Sequence, residues 1–366
     1  MIPIANPQFG NREQAAIADV LDSGRVADGP VVRQFEAEFA DFCGASHGVA
    51  TTNGTTALHT AFEALEIGEG DVVVTSPFSF IASANAARFA GATPVFADID
   101  LSTYDLDPHS TEKLIEEHDA DAILAVHLFG LPADMTELRE IADAHDCALI
   151  EDAAQAHGAA VGGSQTGTLG DAACFSFYPT KNMTTGEGGM ITTDREDVAK
   201  RAASFVNHGR VEDRPAYEHV RVGQNYRMTS VLGAIGRVQL DRLPAYNERR
   251  RANAARLTEG LAPIEGIETP VEPADRRHVY HQYTIRCEDR DGLAEHLEVE
   301  GVGSAVYYPK PIHHQPPYEE SVAKAPAAEY AAESVLSIPV HPEVNDEDLE
   351  QVIEAVQDFD TTNRGQ

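Results

Sequence analysis

The chain has 366 residues, more than one hydrophobic core usually supports, so a large and a smaller domain are expected. Its 60 acidic against 27 basic side chains give a formal charge of −33, which repels phosphate backbones and speaks against a nucleic-acid partner. No apolar run approaches the roughly eighteen residues that a membrane span needs.

In chain order, Gly48–Thr51 reads as a strand that leads through Asn53-Gly-Thr-Thr56 into a helical run, Ala57–Leu65. Asp71–Thr75 is a buried strand, followed by Ser76-Pro-Phe-Ser79 and a helix through Ala90. Pro94–Ala97 and Ala122–Val126 are further strands, Met135–His145 is helical, and Ala148–Ile150 is a strand ending at Glu151-Asp152. Ala172–Tyr178 and Gly189–Thr192 complete the set. Short apolar strands alternating with helices predict a mostly parallel sheet covered on both faces, an α/β large domain over residues 1–240. The segment before about residue 24 is assigned to it but is free to pack on the smaller domain. From Arg242 to Leu261 a charged helical stretch reads as a connector into a smaller α+β domain, residues 241–366. There Tyr280–Arg286, Val302–Tyr308 and Val335–Pro339 are predicted strands, Asp346–Phe359 a helix, and Thr361–Gln366 a frayed tail.

Cys43, Cys147, Cys174 and Cys287 are too far apart for a zinc ribbon or redox pair, and nothing local to them supports a nucleophile. The amino terminus, Met1-Ile-Pro-Ile-Ala-Asn-Pro7, lacks a basic region and a signal-type apolar stretch, so a cytoplasmic protein is expected. Acidic residues are spread along a chain that is 42% hydrophobic, which points to a folded protein adapted to high salt and not to a disordered tail.

Only five lysines occur, and Lys181 differs from Lys113, Lys200, Lys310 and Lys324 by closing an apolar run, Ala172–Tyr178, followed by Pro179-Thr180. Burial lowers a lysine pKa toward the neutral amine, which can attack a carbonyl; a salt-bridged structural lysine is the alternative. Three more features end strands of the large domain, where open α/β sheets bind ligands. Asn53-Gly54-Thr55-Thr56 puts a glycine and free N–H groups at a helix start, an anion site or an ordinary cap. Glu151-Asp152 with Gln155 and His157 offers a carboxylate for a pyridinium nitrogen, or an acidic helix cap. A metal site using His157 would need a third ligand at suitable spacing, and no metal is expected. Gly186-Glu-Gly-Gly189 is a turn whose spacing fits neither phosphate-binding glycine fingerprint. Ser176 precedes Lys181 by five residues, placed to bind the same anion as Thr55. An amine, a carboxylate and a phosphate cup are what pyridoxal phosphate requires.

With these motifs the chain resembles the DegT/StrS family of sugar aminotransferases, within the aspartate-aminotransferase fold type of pyridoxal-phosphate enzymes. The matches run from Ser23-Gly-Arg25 and Asp28-Gly-Pro30 through Asn53–Leu58, Gly70–Val74, Ser79–Ser83, Glu151–Gly158, Phe175–Lys181 and Gly186–Gly189. They continue through Asn207-His-Gly209, Gly223–Met228, Tyr308-Pro309 with His313-His-Gln315, and Leu336–His341. The resemblance implies that Lys181 is the Schiff-base lysine and proton shuttle, that Asp152 holds the pyridinium, and that Gln155 contacts the ring hydroxyl. It implies that Gly54, Thr55 and Ser176 bind the phosphate and that Phe80 stacks on the ring. Asn225 would reach a phosphate in the neighbouring subunit of a homodimer with shared sites. Tyr308, His313 and, less directly, Arg227 would face substrate. Two departures stand out: Asn53 replaces the usual serine of the phosphate turn, and Gln224 replaces an aromatic residue.

The expected activity is amino transfer, with glutamate as donor, to a keto sugar of a nucleoside diphosphate in glycan or surface polysaccharide biosynthesis, with pyridoxamine phosphate as the intermediate cofactor form. A sugar dehydratase of the same family, which carries histidine in place of the lysine, is disfavoured by Lys181. A regulatory protein that binds the cofactor without turnover is the rival from another class.

Overall fold

The structure, a computed structural model, describes residues 1–211, 215, 217–321 and 323–363, with 360–363 by backbone alone. Two helices open the chain, α1 (Asn11–Ser23) and α2 (Pro30–Cys43), each closed by a glycine in the left-handed conformation, Gly24 at φ 68° and Gly44 at φ 83°. The alternating region follows as β1 (His47–Thr51), α3 (Gly54–Ala64), β2 (Val72–Thr75), α4 (Ala82–Ala90), β3 (Thr93–Phe96), α5 (Pro108–His118), β4 (Ala122–Val126), α6 (Met135–His145) and β5 (Ala148–Asp152). Two short strands, β6 (Ala160–Val161) and β7 (Ser164–Gln165), precede β8 (Ala172–Ser176), β9 (Gly189–Thr193) and α7 (Glu196–Val206). A long helix, α8 (Ser230–Leu261), then leads to β10 (Arg276–Arg277), β11 (Tyr283–Arg286), α9 (Arg290–Val299), α10 (Pro326–Ser334), β12 (Val335–Ile338) and α11 (Asp346–Asn363).

Seven strands form one sheet in the order β1-β9-β8-β5-β4-β2-β3. Only β9 runs against its neighbours. Strand residues alternate between faces, and the packing shows it. Val73, Leu124 and Ile150 pack against α3, α4 and α7, whereas Val74, Ile123 and Leu149 pack against α5 and α6. Because both faces are covered, β4 is buried along its whole length, which is why it reads as an unbroken apolar run. Beyond the sheet, a second core joins the last turns of α8 to β11, β12, α9 and α11, through Leu257, Tyr283, Ile285, Leu297, Ile338 and Val352. Ile2 belongs to this core and pairs with Val302. Among the described residues, no helix is long and apolar enough to cross a membrane. All four cysteines are buried free thiols.

Three local expectations need correction. The predicted strand Val302–Tyr308 is not a ladder: Val302 pairs with Ile2 and Ala305 with Ser337, on different partners, so consecutive pairing never develops. The connector helix begins at Ser230, before Arg242, with Thr229 capping the N–H of Leu232. Gly233 and Gly236 hide that start, because glycine disfavours helix. Their purpose is close packing: a Cβ on Gly236 would lie 2.6 Å from the Phe35 ring of α2, and one on Gly233 3.3 Å from the backbone of Val32. At the carboxyl end the helix continues to Asn363, past the expected tail start at Thr361; residues 364–366 of that tail lie outside the described residues.

The sheet's carboxyl edge is tied together at Glu151, which is fully buried. Its Oε1 accepts the N–H groups of Leu169 (2.8 Å) and Gly170 (2.9 Å), and its Oε2 accepts Gly167 N–H and His127 Nε2, both at 3.0 Å. His127 Nδ1 accepts Ala133 N–H (3.1 Å), so the ring proton sits on Nε2 and donates to Glu151. Removing this carboxylate leaves four buried donors unpaired. Glu151→Ala is therefore expected to lower the unfolding free energy by about 3–5 kcal/mol in urea denaturation; a loss under about 1 kcal/mol would mean that the 167–170 loop is held by other contacts.

Candidate active site

Three loops leave the carboxyl edge of the sheet within reach of one another. The first starts α3. Asn53 Oδ1 accepts Thr56 N–H (2.9 Å), which leaves the N–H groups of Gly54 and Thr55 without partners inside the helix. Gly54 is required here because a Cβ would stand 2.8 Å from Ser176 Cβ, at the end of β8. The helix start and Ser176 are thereby in contact, and together with the Thr55 hydroxyl they form a cup of hydroxyl and N–H donors. Asn53, the departure from the usual serine, acts as the helix cap and removes no donor from this cup.

The second loop supplies the acid. Asp152 ends β5, 6% exposed, and faces away from Glu151 as strand alternation dictates. Its Oδ2 accepts Ser83 Oγ (2.8 Å) from α4, and its Oδ1 accepts Ala154 N–H (3.3 Å). Ser79 Oγ lies 2.9 Å from Ser83 Oγ and donates to it, since the Ser83 proton is used on Asp152. Burial raises the Asp152 pKa, against the hydrogen bonds from Ser83 and Ala154 and the charge of Lys181. Ser79 and Ser83 carried no assigned role in the sequence; their i, i+4 spacing beside Phe80 was the available signal.

Lys181 closes the loop after β8, in a turn in which its N–H donates to Tyr178 carbonyl (2.9 Å). Desolvation lowers its pKa from the ordinary 10.5 to about 8, partly offset by the charge of Asp152. Lys113 and Lys200, by contrast, sit in exposed i, i+4 pairs with Glu117 and Glu196. Gln155 is also buried: its Oε1 accepts Phe129 N–H (2.8 Å) and its Nε2 donates to the Tyr308 hydroxyl (3.2 Å), leaving one amide N–H to offer. Burial raises the Tyr308 phenol pKa. The Phe80 ring lies 6.2 Å from that of Tyr308 and is 57% exposed, an apolar face turned outward beside buried polar groups.

Other polar residues lie elsewhere. Asn225 is exposed; its Oδ1 accepts both Nε (3.0 Å) and Nη2 (2.8 Å) of Arg227, and the backbone of Arg227 pairs with Thr51 at the end of β1. Arg210 stacks on Tyr217 at 5.3 Å. His313 is buried beside Phe96 and faces Glu329, 3.2 Å away. His157 is enclosed by Phe39, Phe175 and Phe177, where burial drives its pKa down to about 3.

An amine held near neutrality, a hydrogen-bonded buried acid, a hydroxyl and N–H cup, and an outward aromatic face are the donor set that pyridoxal phosphate needs, and they lie along one sheet edge. Residues 7–357 match the DegT/DnrJ/EryC1/StrS aminotransferase family. The chain belongs to that family. The DegT/DnrJ/EryC1/StrS aminotransferases depend on pyridoxal phosphate. The chain is 41% identical over 349 residues to the dTDP-3-amino-3,4,6-trideoxy-alpha-D-glucose transaminase of Streptomyces venezuelae, covering 94% of this chain and 91% of that one. It is 40% identical over 347 residues to a protein of Geobacillus stearothermophilus named pleiotropic regulatory protein, covering 93% and 92%. The crystal structure of S. venezuelae DesV in complex with a ketimine intermediate superposes with a TM-score of 0.92 at 41% identity, covering 95% of this chain and 94% of that one. The expected aspartate-aminotransferase-like fold with a mostly parallel sheet is thus present.

The environment of Lys181 sets a pH dependence. The amine becomes neutral as pH rises through its lowered pKa, so the cofactor-stripped protein is expected to take up pyridoxal phosphate faster with rising pH and to level off above about 8. Absorbance gives the rate, and borohydride reduction with peptide mapping places the attachment on Lys181. A profile that rises until about 10.4, the value of a solvated lysine, would mean that the amine is not desolvated.

Proposed function

We propose that this protein transfers an amino group, with glutamate as donor, to the carbonyl carbon of a keto sugar carried on a nucleoside diphosphate, in the making of a glycan or surface polysaccharide. The observation that carries this reading is the juxtaposition of Lys181 with Asp152 at one sheet edge, in a chain that matches a nucleotide-sugar transaminase over nearly its whole length. When bound, pyridoxal phosphate supplies an electron sink at the carbon that loses its proton. Gly54 N–H, the Thr55 hydroxyl and the Ser176 hydroxyl bind its phosphate. Asp152, fixed by Ser83 and Ala154, accepts from the ring nitrogen and keeps it protonated. Gln155 turns its remaining amide N–H to the ring hydroxyl, and Phe80 covers the ring face. With the cofactor bound, Lys181 Nζ would carry the proton between the substrate carbon and the cofactor carbon, a role that suits an amine with a pKa near 8. Tyr308, His313 and Arg227 are the residues proposed to face substrate.

The test is amino transfer from labelled glutamate to a panel of nucleotide keto sugars. Label appearing in an amino sugar supports the reading; cofactor binding without transfer from any donor would favour a regulatory protein. Asp152→Asn is expected to retain the cofactor and to lose about 100-fold or more in turnover, because an amide does not stabilise the charge that a carboxylate does. Near-normal turnover would make Asp152 a structural cap.

The same reading includes a cytoplasmic homodimer whose two chains share their sites, with a domain boundary near residue 240. Support for the dimer comes from Asn225, which is exposed, and from the outward apolar side chains Phe89 (61%), Tyr217 (85%) and Val222 (87%). A high-salt habitat is proposed from the charge of −33. The Debye length falls from about 30 Å at 0.01 M to about 3 Å at 1 M salt, so molar salt silences all but neighbouring charges. Melting temperature and the dimer mass in light scattering are expected to rise or hold as potassium chloride approaches molar levels, and to fall on dilution. A melting midpoint that is flat or drops with added salt would identify an ordinary acidic enzyme, and an active monomer would end the shared-site reading.

A further inference from the structure

The sequence offers no metal spacing around His157, but the fold assembles three ligating side chains at a place that the cofactor residues do not use. His313 and His314 lie in the short helical turn Ile312–His314, and Glu329 lies in the first turn of α10. Nε2 of His313 stands 3.2 Å, and Nε2 of His314 3.5 Å, from the same carboxylate oxygen, Glu329 Oε1. The rings are 4.1 Å apart at 56°, and the three ligand atoms lie within 4.8 Å of one another. Two ligands bonded at about 2.0–2.1 Å to a tetrahedral ion stand about 3.3–3.4 Å apart. Both nitrogen–oxygen separations therefore already have the length of a tetrahedron's edge.

We propose that His313, His314 and Glu329 bind one divalent transition-metal ion, zinc being the ion that two imidazoles and one carboxylate best suit. His313 is 4% exposed and anchors the site from within, whereas His314 (47%) and Glu329 (42%) border solvent and leave a position for water. The scaffold on both sides is pinned. Asp98 accepts the N–H groups of Ala327 (3.1 Å) and Ala328 (3.0 Å) at the start of α10, and Tyr318, packed on Phe96, donates to Asn85 (2.7 Å). Nδ1 of His313 is buried without a hydrogen-bond partner, so the outer acceptor common to zinc histidines is missing; such a loss weakens binding by about 10–100-fold. A modest affinity follows, suited to an ion that comes and goes. The ion would join α10 to the segment that begins at Tyr308, whose hydroxyl meets Gln155.

Zinc titration of the cofactor-loaded protein against a chromophoric chelator tests this. The unchanged chain should take up one zinc ion per chain that Glu329→Gln and His314→Ala lose, with at least about a tenfold drop in affinity at that position. Both residues border solvent, and Glu329→Gln keeps the side chain's shape, so it decides the matter if His314→Ala folds poorly. Binding by other surface histidines is equal in all three proteins and cancels. Equal stoichiometry and affinity in the parent and Glu329→Gln, or no uptake by the parent, would overturn the proposal. Because zinc uptake is the readout, the result stands apart from whether amino transfer occurs.

Discussion

Glu151 is the residue on which the candidate active-site edge depends. A carboxylate with no exposed surface survives because four donors surround it: three backbone N–H groups from the loop before β8 and the Nε2 proton of His127. This set joins the carboxyl ends of β4 and β5 to the loop that enters β8. Strand alternation then leaves Asp152 no choice but the other face, where α4 meets it. One acid holds strand ends and loop together, and the next faces α4.

The acid and the amine of the site are tuned in opposite senses by one cause. Burial disfavours charge, so it raises the Asp152 pKa and lowers that of Lys181, and each one's charge partly restores the other. Ser83 in α4, itself hydrogen-bonded to Ser79 just ahead of that helix, stabilises the carboxylate without adding charge. Charge along the surface of the protein, large as it is, enters this balance little; the local groups are close and shielded from water.

What the sequence discloses and what it hides follow from range. Lys181 was legible because a chain nearly devoid of lysine places one after an apolar strand, and the seven large strands were legible because doubly covered strands are unbroken apolar runs. Asp152 could be chosen over its neighbour only by resemblance. Which of two adjacent acids meets the loop 16 to 19 residues ahead is decided in three dimensions. The bond from Gln155 to Tyr308 spans 153 residues and has no local trace. The start of α8 was masked by glycines chosen for packing against Phe35, a case in which tertiary contact overrides helix propensity. Near Val302 the β-prone sequence was real, but its pairing partners belong to two different segments.

The continuity of α8 has a mechanical meaning. Its early residues Leu240 and Leu243 pack with α2 in the core beneath the sheet, and Ala254, Leu257 and Leu261 pack in the second core. No loop separates them; the one weak point is Pro244, which lacks the N–H that Leu240 carbonyl would otherwise receive. The carboxyl-terminal core is thus mounted on a rod with a single notch. Any displacement of that core toward the sheet has to flex the rod at the notch and drag Ile2 with it, so small excursions meet a restoring force and large swings are resisted.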